Sequence, residues 1–237
     1  LYISQIDTAE DYKIGISMKK KFKNFIVNTK VDVKFLNRPL SVIKPYFNQI
    51  KKNYKINILF VRNLENDFKN FTIIRNIKYL KKNKIINKIG ISIYTYENIV
   101  KLFHRIKYDV VQIPVNIFDN RSDKYENFFL KNKIEVHARS VFLQGLMFMK
   151  EKKISYKFKK HKQILNNLHN LLKNKNLDLY DVALSHVFLK KYIGKVIFGV
   201  HNLNQLNKIL RFKFQNRLSL LKRFDNTNNS FIDPRNW

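Results

Sequence analysis

Short apolar runs that recur along the whole chain, with polar segments of helical periodicity between them, constrain the fold more than any other feature of the sequence. Such alternation is typical of βα units and of a parallel sheet. Seven runs predict strands: Tyr2–Ile6, Asn24–Thr29, Ile56–Val61, Lys88–Ser92, Val110–Ile113, Glu135–Arg139 and Lys195–Gly199. The other segments predict helices at Ser41–Lys52, Asp67–Lys82, Glu97–Ile106, Asp123–Lys131, Lys157–Asn176, Tyr180–Leu189 and Leu203–Leu210.

Parallel strands could form either an open doubly wound sheet or a closed barrel. No glycine-rich fingerprint of the Gly-x-Gly-x-x-Gly type follows any predicted strand, which removes the usual dinucleotide signal of the open sheet. The length of 237 residues suits one α/β barrel of roughly 250 residues. We therefore predict a single domain over residues 1–237, folded as a (β/α)8 barrel with a C-terminal tail at residues 211–237.

The start of the sequence bears on how much of that barrel is present. The chain begins with Leu1 rather than Met and enters almost at once into the first predicted strand. We expect this chain to be a fragment that lacks the first strand and the first helix of the barrel.

The net charge of +30 raises the question of a polyanionic partner. The lysines are spread over the whole chain beside abundant Asn and Ile, as in residues 81–85, a pattern typical of compositional bias. Nucleic-acid binding is the less favoured interpretation, and only a basic stripe on one face would indicate it.

Other classes of function are limited by what the sequence lacks. The chain has no cysteine, which excludes disulfides, thiolate metal sites and cysteine nucleophiles. It has no cluster of His, Asp and Glu at ligand spacing and no apolar run of about 18 residues, so we expect no metal and no membrane span. We expect a soluble cytoplasmic protein, with its oligomeric state left open.

Polar or special residues stand at the end of each predicted strand, where the active site of a parallel barrel is formed. They are Asp7, Lys30, Arg62, Ser92, Gln112, Arg139 and Gly199. His137 precedes Arg139 by two residues on the same strand, and we expect it to be a buried, hydrogen-bonded side chain rather than a catalytic one.

The segments around these strand ends resemble, in order, those of the aldo-keto reductase family. The matching segments are Ile6-Asp7-Thr8-Ala9-Glu10-Asp11-Tyr12, Asn28-Thr29-Lys30, Ile89-Gly90-Ile91-Ser92, Val111 to Asn116, Ile134 to Ser140 with Gln144-Gly145, and Val196 to Leu206. Together they cover almost the whole chain to about residue 210. The resemblance implies an NAD(P)H-dependent reductase of aldehydes and ketones built on the barrel fold.

The resemblance also implies catalytic roles. A carbonyl reductase must deliver a hydride to carbon and a proton to oxygen, and a Tyr with a lowered pKa can supply the proton. Tyr12 would be this acid, Lys30 the cation that lowers the pKa of its phenol, and Asp7 the partner of Lys30. Arg62 stands where the family has a His, and Arg cannot act as a neutral hydrogen-bond donor.

For the cofactor, the resemblance implies NADPH, with NADH possible. Ser92 and Gln112 would hold the nicotinamide carboxamide, and Arg139 would stack on the ring. The residues implied near the phosphates are Ser140, Leu143, Gly145, Gly199, Asn202 and Gln205.

Two departures from the family pattern keep an alternative open. Ile93 replaces a common Asn, and Tyr12 is followed by a segment that is shorter than in the family. Together with Arg62, these departures also fit a catalytically degraded barrel that acts as a binding protein or is a decaying gene product.

Overall fold

The computed structural model describes residues 3, 5–9, 26–52, 55–67, 69–150, 156–216, 218–225 and 229–237. Within them, seven strands follow sequence order in the sheet: β1 (Gln5–Asp7), β2 (Ile26–Asp32), β3 (Ile56–Arg62), β4 (Lys88–Ser92), β5 (Val110–Pro114), β6 (Glu135–Arg139) and β7 (Ile193–Val196). The neighbouring pairs β1–β2, β2–β3, β3–β4, β4–β5 and β6–β7 are parallel. Parallel strands alternating with helices confirm the predicted (β/α)8 barrel fold, of which the described residues contain seven strands.

Helices lie between the strands and after the last strand. They are α1 (Val33–Leu36), α2 (Leu40–Lys51), α3 (Leu64–Asp67), α4 (Phe71–Lys82), α5 (Ile99–Ile106), α6 (Glu126–Lys131), α7 (Lys162–Asn174), α8 (Leu179–Phe188), α9 (Leu203–Leu210) and α10 (Asn229–Ile232). Of these, α2 and α4 to α9 fall in segments that the sequence predicts to be helical. The chain divides into two compact units. The N-terminal unit comprises Ile3–Gln112 with Asn132–Glu135, and the C-terminal unit contains Ile113–Lys131 and Val136–Trp237.

The inner layer of the N-terminal unit is closely packed around Phe60. Ile58, Phe60 and Val110 form one buried cluster, and Phe60 pairs in register with Gly90 on the next strand. A Cβ atom at Gly90 would lie only 2.5 Å from Cδ1 of Phe60. The phenyl ring therefore occupies the space that a larger residue at position 90 would need.

A chain of side-chain amides crosses the amino ends of four neighbouring strands. Asn28 donates to Gln5 Oε1 at 2.8 Å, Asn57 donates to Asn28 Oδ1 at 3.3 Å, and Asn87 donates to Asn57 Oδ1 at 3.4 Å. Each side-chain amide thus donates a hydrogen bond to the side-chain oxygen of its neighbour on the preceding strand. The buried Asn28 takes part twice, as donor and as acceptor.

The C-terminal unit contains the residues predicted as a tail. Ser219–Phe224 and Pro234–Asn236 form short 3-10 helices on either side of α10. Phe231 is buried with its ring 5.0 Å from that of Phe118, and Asp233 pairs with Arg235 at 2.6 Å. These contacts make residues 218–225 and 229–237 part of the packed C-terminal unit.

Several element bounds differ from those predicted. The second strand extends to Asp32 rather than ending at Thr29, because the charge of Lys30 is paired inside the structure. The predicted helix Asp67–Lys82 is divided, since the side chain of Asn70 caps a new helix by accepting from the amides of Thr72 and Ile73. The predicted helix Lys157–Asn176 is α helical only from Lys162. The last strand ends at Val196, so Gly199 lies in the following loop rather than at the strand end.

Candidate active site

Five of the predicted site residues lie on one face of the sheet in the N-terminal unit. Alternate residues of a strand share a face, and residues paired across parallel strands point to the same side. Asp7 pairs in register with Asn28, and Lys30 pairs with Phe60. Arg62 pairs with Ser92, which pairs in turn with Gln112. The fold thus brings Asp7, Lys30, Arg62, Ser92 and Gln112 to one face near the carboxyl ends of five strands.

Lys30 and Asp7 form a buried ion pair. The Nζ atom of Lys30 donates to Oδ2 of Asp7, and the two side chains are only 8% and 15% exposed. The ring of Phe60 lies 5.7 Å from the ammonium, which adds a cation–π contact. Within the described residues, Oδ1 of Asp7 has no hydrogen-bond partner. The pair therefore holds a charged, oriented ammonium in a poorly solvated position.

Ser92 and Gln112 form a polar pair suited to binding an amide. The hydroxyl of Ser92 lies 3.5 Å from Oε1 of Gln112, and both residues are buried. Nε2 of Gln112 is buried and has no hydrogen-bond partner in the part of the chain that the structure describes. A buried donor of this kind is costly unless a ligand satisfies it. The two side chains therefore fit a ligand carboxamide, whose oxygen could accept from the Gln112 amide.

Arg62 lies half-buried in the same row. Two acidic residues, one next to it in register and one close to it in sequence, were not predicted as site residues. Asp32 pairs with Arg62 in register, and its carboxylate accepts from the amide of Lys34 and from Nδ2 of Asn63 at 2.8 Å. Glu65 lies in the first turn of α3, three residues after Arg62 in the chain, and is 4% exposed. Asp32 lay beyond the predicted end of its strand, and no sequence signal marked Glu65 as buried.

The C-terminal unit holds the loop predicted near the phosphates. Ser140, Leu143 and Gln144 have positive φ values of 57°, 46° and 54°, and Gly145 has a φ of 84°. Left-handed conformations cost non-glycine residues of order 1–3 kcal/mol each and cluster at ligand-binding segments. Asn116 anchors the loop by donating to the carbonyl oxygen of Ser140 at 3.2 Å.

Arg139 and His137 lie on the strand that leads into this loop. Nη1 of Arg139 donates to the hydroxyl of Ser140 at 3.3 Å, and the Arg139 side chain is half-buried. His137 is 1% exposed, in agreement with the burial expected for this histidine.

Asn202 and Gln205 cap the start of α9. Oδ1 of Asn202 accepts from the amide of Gln205 at 2.9 Å, and Oε1 of Gln205 accepts from the amide of His201 at 2.8 Å. These two side chains fix the helix end, whose positive dipole favours an anion. Gly199 lies in the loop before it, and nothing lies within 4 Å of the position that a Cβ atom would take there.

Tyr12, the predicted acid, lies outside the described residues. In the described part of the chain, no three His, Asp or Glu residues are grouped as a metal site would require. Nor does any described helix combine the length and the apolar character needed to cross a membrane.

A cavity of about 560 Å³ in the C-terminal unit contains none of the predicted site residues. Its lining includes Asn120, Asp123, His186, Lys190 and Lys222. Lys190 donates to both oxygens of Asp123 at 2.7 Å, and His186 contacts Oδ1 of Asn120 at 2.8 Å. Burial lowers the pKa of His186 to about 4.

Comparisons with known proteins agree on one family. The profile of the aldo/keto reductase family matches residues 2–220. Among solved structures, an aldo-keto reductase from Bacillus halodurans in its apo form superposes with a TM-score of 0.70 at 18% identity, over 94% of this chain and 80% of that one. Its holo form gives a TM-score of 0.68 at 17% identity over the same shares of the chains.

A glycerol dehydrogenase from Gluconobacter oxydans has a TM-score of 0.70 at 16% identity, over 93% of this chain and 79% of that one. At these identities the superpositions show the fold alone. Comparison with curated protein sequences gave no match.

Proposed function

The chain belongs to the aldo/keto reductase family of oxidoreductases, and we propose that it reduces aldehydes or ketones with NADPH as the hydride donor. The observation that carries this proposal is the row formed by the Asp7–Lys30 pair, Ser92 and Gln112 on one face of the sheet. The row combines a buried cation with an amide-binding pair. These are the two requirements for polarising a carbonyl group beside a nicotinamide ring.

The acid chemistry follows from the buried ion pair. A phenol has an ordinary pKa near 10, and a nearby ammonium lowers the pKa by stabilising the phenolate. Asp7 keeps Lys30 oriented. In this proposal Lys30 lowers the pKa of the Tyr12 phenol, and Tyr12 donates its proton to the substrate oxygen. We propose Tyr12 as this acid because it follows Asp7 at the spacing found in the family.

Bound NADPH would supply the hydride. Ser92 and the unpartnered Nε2 of Gln112 would fix the carboxamide of its nicotinamide and thereby select the ring face. The left-handed loop from Ser140 to Gly145 and the amino end of α9 offer backbone amides and a helix dipole to phosphate groups. Arg139 would stack its guanidinium on the nicotinamide ring.

The proposal is tested by Tyr12→Phe in the full chain, assayed with NADPH and an aromatic aldehyde. We expect turnover to fall by at least about a hundredfold while NADPH affinity, measured by fluorescence titration, stays unchanged, since only a proton donor is lost. Tyr79→Phe on α4 is the matched control and should retain full turnover.

Two results would contradict the proposal. Unchanged turnover in Tyr12→Phe would reject Tyr12 as the acid. Absence of turnover in the parent, together with intact NADPH binding, would favour the degraded barrel that acts as a binding protein.

A further inference from the structure

A tight turn follows strand β5 in the C-terminal unit. The amide of Asn116 donates to the carbonyl oxygen of Asp119 at 3.3 Å, and the amide of Asp119 donates to the carbonyl oxygen of Asn116 at 3.0 Å. Within the turn, Oδ1 of Asn116 accepts from the amide of Phe118 at 3.0 Å. Asn116 and Asp119 are both fully buried. These hydrogen bonds fix the conformation of residues 116–119, which we call the anchor turn.

The anchor turn holds the start of the cofactor loop, residues 140–145. The amide of Val115, just before the turn, donates to the carbonyl oxygen of Arg139 at 3.0 Å. Nδ2 of Asn116 donates to the carbonyl oxygen of Ser140 at 3.2 Å. Ser140 has a φ of 57°, and a non-glycine residue stays in this left-handed region only where its surroundings hold it there. The hydrogen bonds from Val115 and Asn116 supply part of that hold.

The C-terminal segment, which starts at Leu218, packs against the anchor turn. The ring of Phe118 lies 5.0 Å from that of Phe231, measured between centroids, and both side chains are fully buried. Oδ1 of Asp225 accepts from the backbone amide of Asn120 at 3.2 Å and from its side-chain amide at 3.1 Å. Closely packed rings transmit small displacements, so the position of the turn depends on the C-terminal segment.

Charged side chains link the same two parts of the chain. The carboxylate of Asp119 accepts from Nε and Nη2 of Arg121 at 2.8 Å and 2.9 Å, and that of Asp233 accepts from Nη2 of Arg235 at 2.6 Å. Burial raises the pKa of Asp233, but the hydrogen bonds and charge of Arg235, together with the charge of Arg121, lower it overall. The charge of Arg121 therefore acts on carboxylates of both the turn and the C-terminal segment.

We propose that the anchor turn couples the C-terminal segment to the cofactor loop, so that Asn116 and Phe231 are positioning residues for NADPH. The inference rests on the proposed function, because it takes this loop to bind the phosphates of the cofactor. A loop that loses the hydrogen bond from Asn116 is less well preorganised and binds its ligand more weakly. Neither residue belongs to the row of side chains that carries the chemistry. The affinity for NADPH should therefore change, and the turnover of the loaded enzyme should not.

The test compares Asn116→Ser with the parent in two measurements. Serine keeps an oxygen that can accept from the amide of Phe118, but it is too short to reach the carbonyl of Ser140. Without cofactor, hydrogen–deuterium exchange of residues 140–145 should become about fivefold faster, as expected for the loss of one hydrogen bond. Fluorescence titration should give a Kd for NADPH raised about fivefold, with kcat at saturating NADPH within about twofold of the parent.

Phe231→Leu tests the contact with the C-terminal segment. The substitution removes the ring that packs on Phe118 and keeps the position apolar. We expect faster exchange of the cofactor loop and weaker NADPH binding, each by at least about twofold. Thermal melting establishes that each variant is folded, and Phe231→Leu decides the matter if Asn116→Ser is not.

Matched controls come from the N-terminal unit. Asn76 is fully buried, and its side-chain amide donates to the carbonyl oxygens of Leu36 and Arg38 at 2.8 Å and 3.0 Å. Phe47 is fully buried with its ring 5.2 Å from that of Tyr46. Asn76→Ser and Phe47→Leu should lower the Tm but leave the exchange of the cofactor loop and the affinity for NADPH at the parent values.

Three results would overturn the proposal. Loop exchange at the parent rate in both Asn116→Ser and Phe231→Leu would show that the turn does not hold the loop. Equal changes in the control variants would make the effect a general loss of stability. Faster exchange with unchanged NADPH affinity would mean that the loop held by the turn does not bind the cofactor.

Failure of the proposed function gives a different result. A parent that binds no NADPH would overturn the proposed function and the effect on affinity together. The exchange of the cofactor loop is measured without NADPH, so it decides the coupling between the C-terminal segment and the loop on its own.

Discussion

Substitution of Gly90 by Ala tests how tightly the inner layer of the N-terminal unit is packed. The added methyl group would lie 2.5 Å and 2.7 Å from two carbon atoms of Phe60 and 2.8 Å from Cγ2 of Ile58. Carbon atoms in ordinary contact are about 3.5–4.0 Å apart, so the neighbours must move by about 1 Å. Both neighbours are fully buried and lie in one cluster with Val110, which leaves them little room to move.

The expected cost follows from this overpacking. Extra methyl groups in a well-packed core cost about 1–3 kcal/mol, and two crowded neighbours place Gly90→Ala near 3 kcal/mol. For a chain of this size, each kcal/mol lowers the Tm by roughly 2–4 °C. We therefore expect a decrease of about 6–12 °C, together with a matching loss in the free energy of unfolding measured in urea.

A double-mutant cycle shows whether Phe60 is the cause. In a Phe60→Leu background the ring is gone, and Gly90→Ala should cost at least about 1 kcal/mol less than in the parent. Gly199→Ala is the matched control, because nothing lies within 4 Å of its added Cβ. It should change the free energy of unfolding by less than about 0.5 kcal/mol. Equal effects of Gly90→Ala and Gly199→Ala would refute the packing argument.

The remaining predictions concern charge and catalysis. Asp7→Ala leaves the ammonium of Lys30 buried without its carboxylate. We expect the free energy of unfolding, measured in urea, to decrease by about 3 kcal/mol, and the addition of Lys30→Met to restore part of this loss. Burial lowers the pKa of His186 from the ordinary value of 6.5 to about 4 in the folded chain. Between pH 4 and pH 6.5 the unfolded chain therefore binds more protons at this histidine than the folded chain does. The free energy of unfolding is therefore unaffected by His186 above about pH 6.5. It decreases as the pH falls below that value, by about 2 kcal/mol between pH 7 and pH 5. His186→Gln should lack this part of the pH dependence, and an unchanged slope would contradict the assignment. Arg62→His should raise kcat/KM for a neutral aldehyde at least about tenfold, or about 1.4 kcal/mol; no gain would mean that Arg62 belongs to a working site.

The sequence predicted the row of site residues because strand ends carry polar side chains in a regular order. Lys88–Ser92 and Glu135–Arg139 have the predicted bounds, since their apolar cores end at turn or polar residues. Lys30 was predicted to follow its strand, yet it lies within it. The reason is the carboxylate of Asp7, which lies 23 residues away in sequence and neutralises the buried charge, so a local pattern could not reveal it.

The loop from Ser140 to Gly145 shows a second limit of sequence reasoning. Gly145 is compatible with a positive φ, but Ser140, Leu143 and Gln144 carry no local signal for the left-handed region. Asn202 and Gln205, in contrast, have the spacing of a capping pair, and the helix cap could have been predicted from that spacing. The role predicted for these two residues was cofactor binding alone.

The chain of amides from Gln5 through Asn28 and Asn57 to Asn87 makes four positions depend on one another. Each interior amide donates to one neighbour and accepts from another, so an apolar replacement at Asn28 or Asn57 deprives two partners at once. A single replacement leaves hydrogen-bonding groups without partners and should be selected against. Replacing all four amides together leaves no such group and should reduce the free energy of unfolding far less. In a chain so rich in Asn, these positions form an epistatic group that should change together or remain unchanged as homologous sequences diverge.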